Sequence, residues 1–178
     1  MNVKAGIRLI LLILCAAVVA CSCAKQEEQG ASPSGPAELN RLAPSFSLTD
    51  VEGKKVNLSD YKGKVVMLEF FTSWCGPCQL AAPEIETIHE QYRDKGLVVL
   101  GISMDVGANA KNAITSFRKE HSLSYPVLMD TGDVSRLYGV FTIPTSFVID
   151  KKGILKKKHM GFAPSLTQEM TKEIEALL

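Results

Sequence analysis

The sequence predicts an α/β domain whose central mixed sheet is flanked by helices and extended at its N-terminal end by a hairpin. Three observations carry this prediction. Residues 65–71 form an apolar run broken only by Glu69, Ala81, Ile85, Ile88 and Tyr92 then recur at helical spacing, and residues 97–102 are again apolar. That order makes a strand–helix–strand crossover between parallel neighbours covered on both faces. Residues 145–149 and 154–159, joined through Asp150-Lys151-Lys152-Gly153, predict an antiparallel hairpin. Residues 44–48 and 55–58, around a turn over 49–54, predict another.

The chain begins with a targeting pattern. Lys4 and Arg8 precede twelve uninterrupted apolar residues, 9–20, short of the ~20 that a bilayer-spanning helix needs and suited to a secretory signal. Val18-Val19-Ala20-Cys21 closes the run and resembles the lipobox of bacterial lipoprotein precursors, in which cleavage precedes a cysteine that becomes lipidated. Cys15 follows Leu14, which is not a small residue, so Cys21 is the better candidate. An uncleaved anchor or an ordinary signal peptide is the alternative. Residues 24–43 are rich in Gln, Glu, Ser, Gly and Pro, and too poor in large apolar side chains to offset ordering. The organisation predicted is therefore a signal peptide over 1–20, a lipidated N-terminus and tether over 21–43, and one folded domain over 44–178.

The remaining elements follow from periodicity and turn residues. Helices are predicted over 109–120 and 133–138, a short strand over 125–129, and a closing amphipathic helix on Leu166, Met170, Ile174 and Leu177. Loss of residues 1–20 leaves eighteen Lys and Arg against nineteen Asp and Glu, which gives no electrostatic footprint for nucleic acid. Lys156-Lys157-Lys158 reads as a solvated strand or loop.

Cysteine use narrows the chemistry. Of five cysteines only Cys75 and Cys78 fall in the predicted domain, and two residues between them make a poor structural staple. Zinc needs two further ligands at suitable spacing, whereas His89, His121 and His159 are scattered. The pair is read as redox-active, with no metal and no cofactor beyond the two thiols. Cys75 falls at the start of the helix, where free backbone N–H groups and the helix dipole stabilise a thiolate. It is the predicted nucleophile, and Cys78, one turn on, the predicted resolving thiol. Gly76 and Pro77 set the turn.

Trp74-Cys75-Gly76-Pro77-Cys78 is the motif of thioredoxins, and the chain resembles the TlpA/ResA group of exported thioredoxin-like proteins. The likeness runs from APSF through LSDYKGKVV and WCGPC to YGVFTIPTSFVIDKKG. It implies a thioredoxin-like fold, thiol–disulfide exchange, a cis proline at Pro144, and a substrate groove that includes Trp74, Gly76, Pro77, Ile143 and Pro144. A strand-start proline is the plainer reading of Pro144. Glu69, six residues before Cys75, matches the buried acid that thioredoxins place beneath the pair. A desolvated carboxyl there could accept the proton of Cys78; an edge-facing or salt-bridged Glu is the alternative. Ala81 stands where several TlpA-type proteins have an acid, and Thr145 where cytochrome-c-maturation members often have one.

Two other functions share the fold. A peroxiredoxin uses Thr-x-x-Cys, which Thr72 to Cys75 reproduces, but it also carries a proline where this chain has Leu68. A copper chaperone spaces its cysteines by three and adds a late histidine, for which His159 is the only candidate. The resemblance further implies disulfide-containing exported proteins as substrates, a transmembrane thiol-electron donor as partner, and action as a monomer outside the cytoplasm.

Overall fold

The computed structural model describes residues 35–178; the predicted signal peptide, Cys21 and the first part of the tether lie outside the described residues. The middle of the sheet is built from the two most apolar stretches of the described residues. Strands β1 (Ser47–Asp50) and β2 (Lys55–Asn57) precede β3 (Val65–Phe71), which runs parallel to β4 (Leu97–Ser103) with Val65 opposite Leu97 and Phe71 opposite Ser103. Helix α1 (Gly76–Tyr92) makes the crossover, and the turn into β4 passes through Gly96 at φ 106°, a conformation glycine adopts without a Cβ penalty.

Strand β5 (Val127–Met129) extends the parallel set beside β4. On the other side β6 (Thr145–Ile149) lies antiparallel to β3, and β7 (Leu155–Met160) completes the predicted hairpin. Helices α2 (Ala110–Glu120), α3 (Asp133–Leu137) and α4 (Pro164–Leu177) cover the faces. The strand order is β2-β1-β5-β4-β3-β6-β7, a mixed sheet that carries the predicted N-terminal hairpin at one edge.

Alternation along β3 positions the site. Val65, Met67 and Phe71 point into a core shared with Ile85 of α1, Phe117 of α2 and Met170 of α4, and the same core contains Cys75 and Cys78. Val66, Leu68 and Phe70 point to the opposite core, built around Tyr138 and Phe147. Glu69 falls between Met67 and Phe71 and thus faces the cysteine side. Its register partner on β4 is Gly101, over which Tyr125 lies so closely that a Cβ would stand 3.2 Å from the ring.

Element ends shift by one or two residues at several places, as at β5, which starts at Val127 rather than 125, and two boundaries differ by more. The first strand is Ser47–Asp50 rather than 44–48, because the turn begins only at Asp50, whose carboxylate accepts from the N–H groups of Glu52 at 3.0 Å and Lys54 at 2.8 Å. Pro44 has no N–H for a ladder; its carbonyl accepts from the Tyr138 hydroxyl at 2.7 Å. Residues 37–43, expected to belong to the tether, are bonded to the domain. Ala37 N–H donates to the Leu137 carbonyl, Asn40 N–H to Leu155, and Ala43 N–H to Gly153, and Ala43 is buried. Backbone hydrogen bonding onto β7 and its turn, which composition does not report, pins this stretch.

Candidate active site

The predicted pair is brought together at the junction of β3 and α1. Cys75 caps the helix in extended conformation (φ −80°, ψ 113°), its Sγ accepts the Cys78 N–H at 3.3 Å, and the two sulfurs form a disulfide with a Cα separation of 5.2 Å. A sulfur in this position receives a backbone donor and the positive end of the helix dipole, which favours its thiolate after reduction. Cys75 is 6% exposed and Cys78 2%, so Cys78 is the more shielded residue of the pair. Gly76 and Pro77 form the exposed first turn, where the missing proline N–H costs no helical bond.

Across from the pair, the Ile143–Pro144 peptide is cis, and the Ile143 carbonyl lies 4.0 Å from Cys75 Sγ. Trp74 is 74% exposed and Phe141 92%. Glu69 is buried and accepts a hydrogen bond from the Ser146 hydroxyl, its cross-strand partner on β6. Burial pushes its carboxyl up to about 7, against a smaller lowering by Ser146. An edge-facing or ion-paired Glu69 is thereby set aside: its side chain bonds to the Ser146 hydroxyl, and β3 is an inner strand.

A model of the AhpC/TSA family matches residues 39–158. The thiol-disulfide oxidoreductase ResA of Bacillus thuringiensis is 36% identical over 93% of this chain and 88% of its own length. The chain belongs to the ResA-like thiol-disulfide oxidoreductases of the AhpC/TSA family. A thioredoxin-like protein of Bacillus subtilis, YneN, is 34% identical over 67% of this chain and 69% of its own. Among solved structures, a Chlorobium tepidum protein assigned as the thiol:disulfide interchange protein DsbE superposes with a TM-score of 0.74 at 34% identity, over 79% of this chain and 98% of that one.

In this thiol-disulfide oxidoreductase several site residues have no signal in the sequence pattern. Asp105, just past β4, accepts from the Ser73 N–H at 2.8 Å, the Ser73 hydroxyl at 2.6 Å and the Ser103 hydroxyl at 2.7 Å. It ties the loop that carries Trp74 and Cys75 to the end of the neighbouring strand. Gln79 adds a bond to the Ser73 carbonyl at 3.2 Å. An acid two residues past a buried strand, in a segment that reaches Gly107, is the one cue that could have flagged Asp105. Thr72 gives Cys75 its backbone carbonyl, at 3.2 Å, and not the hydroxyl that the peroxiredoxin comparison drew attention to. His159 is engaged by Glu173 at 2.8 Å, and among the described residues no three His, Cys, Asp or Glu side chains converge as a metal-binding set.

Proposed function

We propose that this oxidoreductase reduces disulfides of exported proteins outside the cytoplasm, held to a bacterial membrane by lipid on Cys21. In the reduced protein the Cys75 thiolate attacks a substrate disulfide, forms a mixed disulfide and expels one substrate sulfur as thiolate. Cys78 then gives its proton to Glu69 and attacks Cys75 Sγ. The intramolecular disulfide forms and the second substrate thiolate leaves. Two electrons pass to the substrate, and a transmembrane thiol donor restores the dithiol.

The observation that carries this reading is Cys75 Sγ at the helix N-terminus, accepting the Cys78 N–H and bonded to the less exposed Cys78. Exposed Trp74 and Phe141, with the Ile143 carbonyl near Cys75, support docking of an extended peptide beside the sulfur. The Gly76-Pro77 pair supports reduction as the direction, since the thioredoxin motif accompanies a potential of about −270 mV. Glu69 on the cysteine side of β3, protonated and ionised in comparable amounts near neutrality, suits the transfer of one proton per cycle.

Mixed-disulfide trapping tests the assignment. Full-length Cys78→Ser, expressed with its signal, is expected to accumulate reducible adducts with exported proteins and with a membrane donor. Adducts that persist in the Cys75→Ser, Cys78→Ser double variant would contradict it.

A further inference from the structure

Single exposed apolar side chains are ordinary on a protein surface, whereas several gathered in one place mark a contact. Apart from Leu39 and Leu42, the exposed large apolar side chains among the described residues are Trp74, Leu80, Val106, Phe141 and Met160, and the fold brings these five to the end of the sheet that carries Cys75. Trp74 precedes the nucleophile, and Leu80 follows Gly76 and Pro77 on the exposed side of α1. Val106 adjoins Asp105, which holds Ser73 by two hydrogen bonds. Phe141 comes just before Thr142 and Ile143, and the Ile143 carbonyl is 4.0 Å from Cys75 Sγ. Met160 is opposite Thr145 across the β6–β7 ladder, and the N–H of Gly161 donates to the Pro144 carbonyl at 2.8 Å.

Phe141 is the most exposed of them, and the chain holds it there. Val140 before it is buried, with its N–H on the Ser135 carbonyl at 2.9 Å, and the Thr142 carbonyl after it accepts from the Thr145 hydroxyl at 2.6 Å. Charge is scarce around these side chains. Residues 70–83, 139–149 and 160–168 contain no Asp, Glu, Lys or Arg, and residues 101–110 contain only Asp105, whose carboxylate is taken up by Ser73 and Ser103. An anionic lipid surface would call for Lys or Arg here, and a strongly charged peptide would find no free ion partner. An uncharged, apolar chain fits this face, and the position of the face around Cys75 makes that chain the one whose disulfide is attacked.

We propose that Phe141 and Val106, together with Trp74, select disulfides whose cysteine lies in an apolar stretch of an unfolded exported chain. The inference rests on the reading of this protein as a reductant acting through Cys75, and it names the substrate class. Apolar neighbours of a cysteine are mostly buried once a protein has folded, so they are offered to this face by chains that have not folded or have paired their cysteines wrongly. Disulfides in polar surface loops are the poorer substrates. Phe141 and Val106 set this preference and take no part in the exchange itself.

The test uses reduced full-length protein and short neutral peptides, each carrying its single cysteine as a mixed disulfide with a chromogenic aryl thiol. Cys75 attacks the peptide sulfur and expels the aryl thiolate, Cys78 then releases the peptide as its thiol, and two electrons have passed from the dithiol. Stopped-flow absorbance of the aryl thiolate gives the second-order rate constant, and division by the constant for dithiothreitol removes the peptides' own reactivity. With Leu and Phe on both sides of the cysteine, the peptide is expected to react about tenfold faster than with Ser and Gln, as burial of one large apolar side chain provides. The ratio should persist between about 0.05 and 0.5 M salt, fall towards one in Phe141→Ser and in Val106→Ser, and return in Phe141→Leu. A wild-type ratio of one with both peptides reduced overturns the substrate class and leaves the reductase reading standing. Reduction of neither peptide overturns both. An unchanged ratio in Phe141→Ser and Val106→Ser overturns the assignment to this face. So does a wild-type dimer that Phe141→Ser dissociates in sedimentation without moving the ratio, since a second copy then covers the face.

Discussion

Glu69 places a carboxyl where the fold would otherwise put another apolar side chain of β3, and the consequence is measurable without any substrate. Its group titrates at about 7 in the folded protein against 4.5 when exposed. Between these values the folded chain holds a proton that the unfolded chain has released, so stability falls as pH rises across the window and levels off on either side. Glu69→Gln keeps an acceptor for Ser146 and removes the titration. The variant is expected to lose this slope and to exceed the wild type by on the order of 3 kcal/mol above pH 7. Denaturant midpoints from pH 4.5 to 8 check it; a wild type without that decline contradicts the burial argument. Glu69 could be singled out in the sequence because one charge interrupts an apolar run. Ser146 could not, since a serine in a strand carries no sign of which partner the fold brings to it.

At the scale of elements, the site depends on how β3 hands over to α1. The segment between them spans only Thr72 to Cys75, and Asp105 holds it by two hydrogen bonds from Ser73 while a third, from the Ser103 hydroxyl, fixes Asp105 to the end of β4. Asp105→Ala is expected to cost about 2 kcal/mol of stability and to slow Cys75 alkylation about tenfold through loss of positioning. Asp105→Asn, which retains one acceptor oxygen, should recover part of both. Equal alkylation rates in all three proteins would show that the loop holds itself. The strands and helices around this junction were legible because hydrophobic period and turn residues specify them locally: β3, α1, β4 and the β6–β7 hairpin lie within a few residues of expectation. The displaced start of β1 was not, because it depends on the Asp50 side chain capping its own turn.

Across the whole molecule, the N-terminal approach is part of the domain. The composition of residues 37–43 predicts a tether, yet their backbone bonds reach α3, β7 and the turn before β7. A chain starting at Pro44 is expected to be less stable by about 2 kcal/mol, a fall of roughly 5–10 °C in Tm, with the disulfide chemistry retained. An unchanged Tm by calorimetry would return that stretch to the tether. Sheet, helix terminus and loop all converge on one asymmetry, a more accessible Cys75 stabilised as thiolate above a shielded Cys78. Iodoacetamide alkylation of the reduced protein, resolved by peptide mass spectrometry between pH 5 and 9, tests it most directly. Cys75 should be modified first, with a midpoint below the ~8.5 of a free thiol, while Cys78 stays protected. Modification of Cys78 first, or a Cys75 midpoint at or above the free-thiol value, would contradict the account.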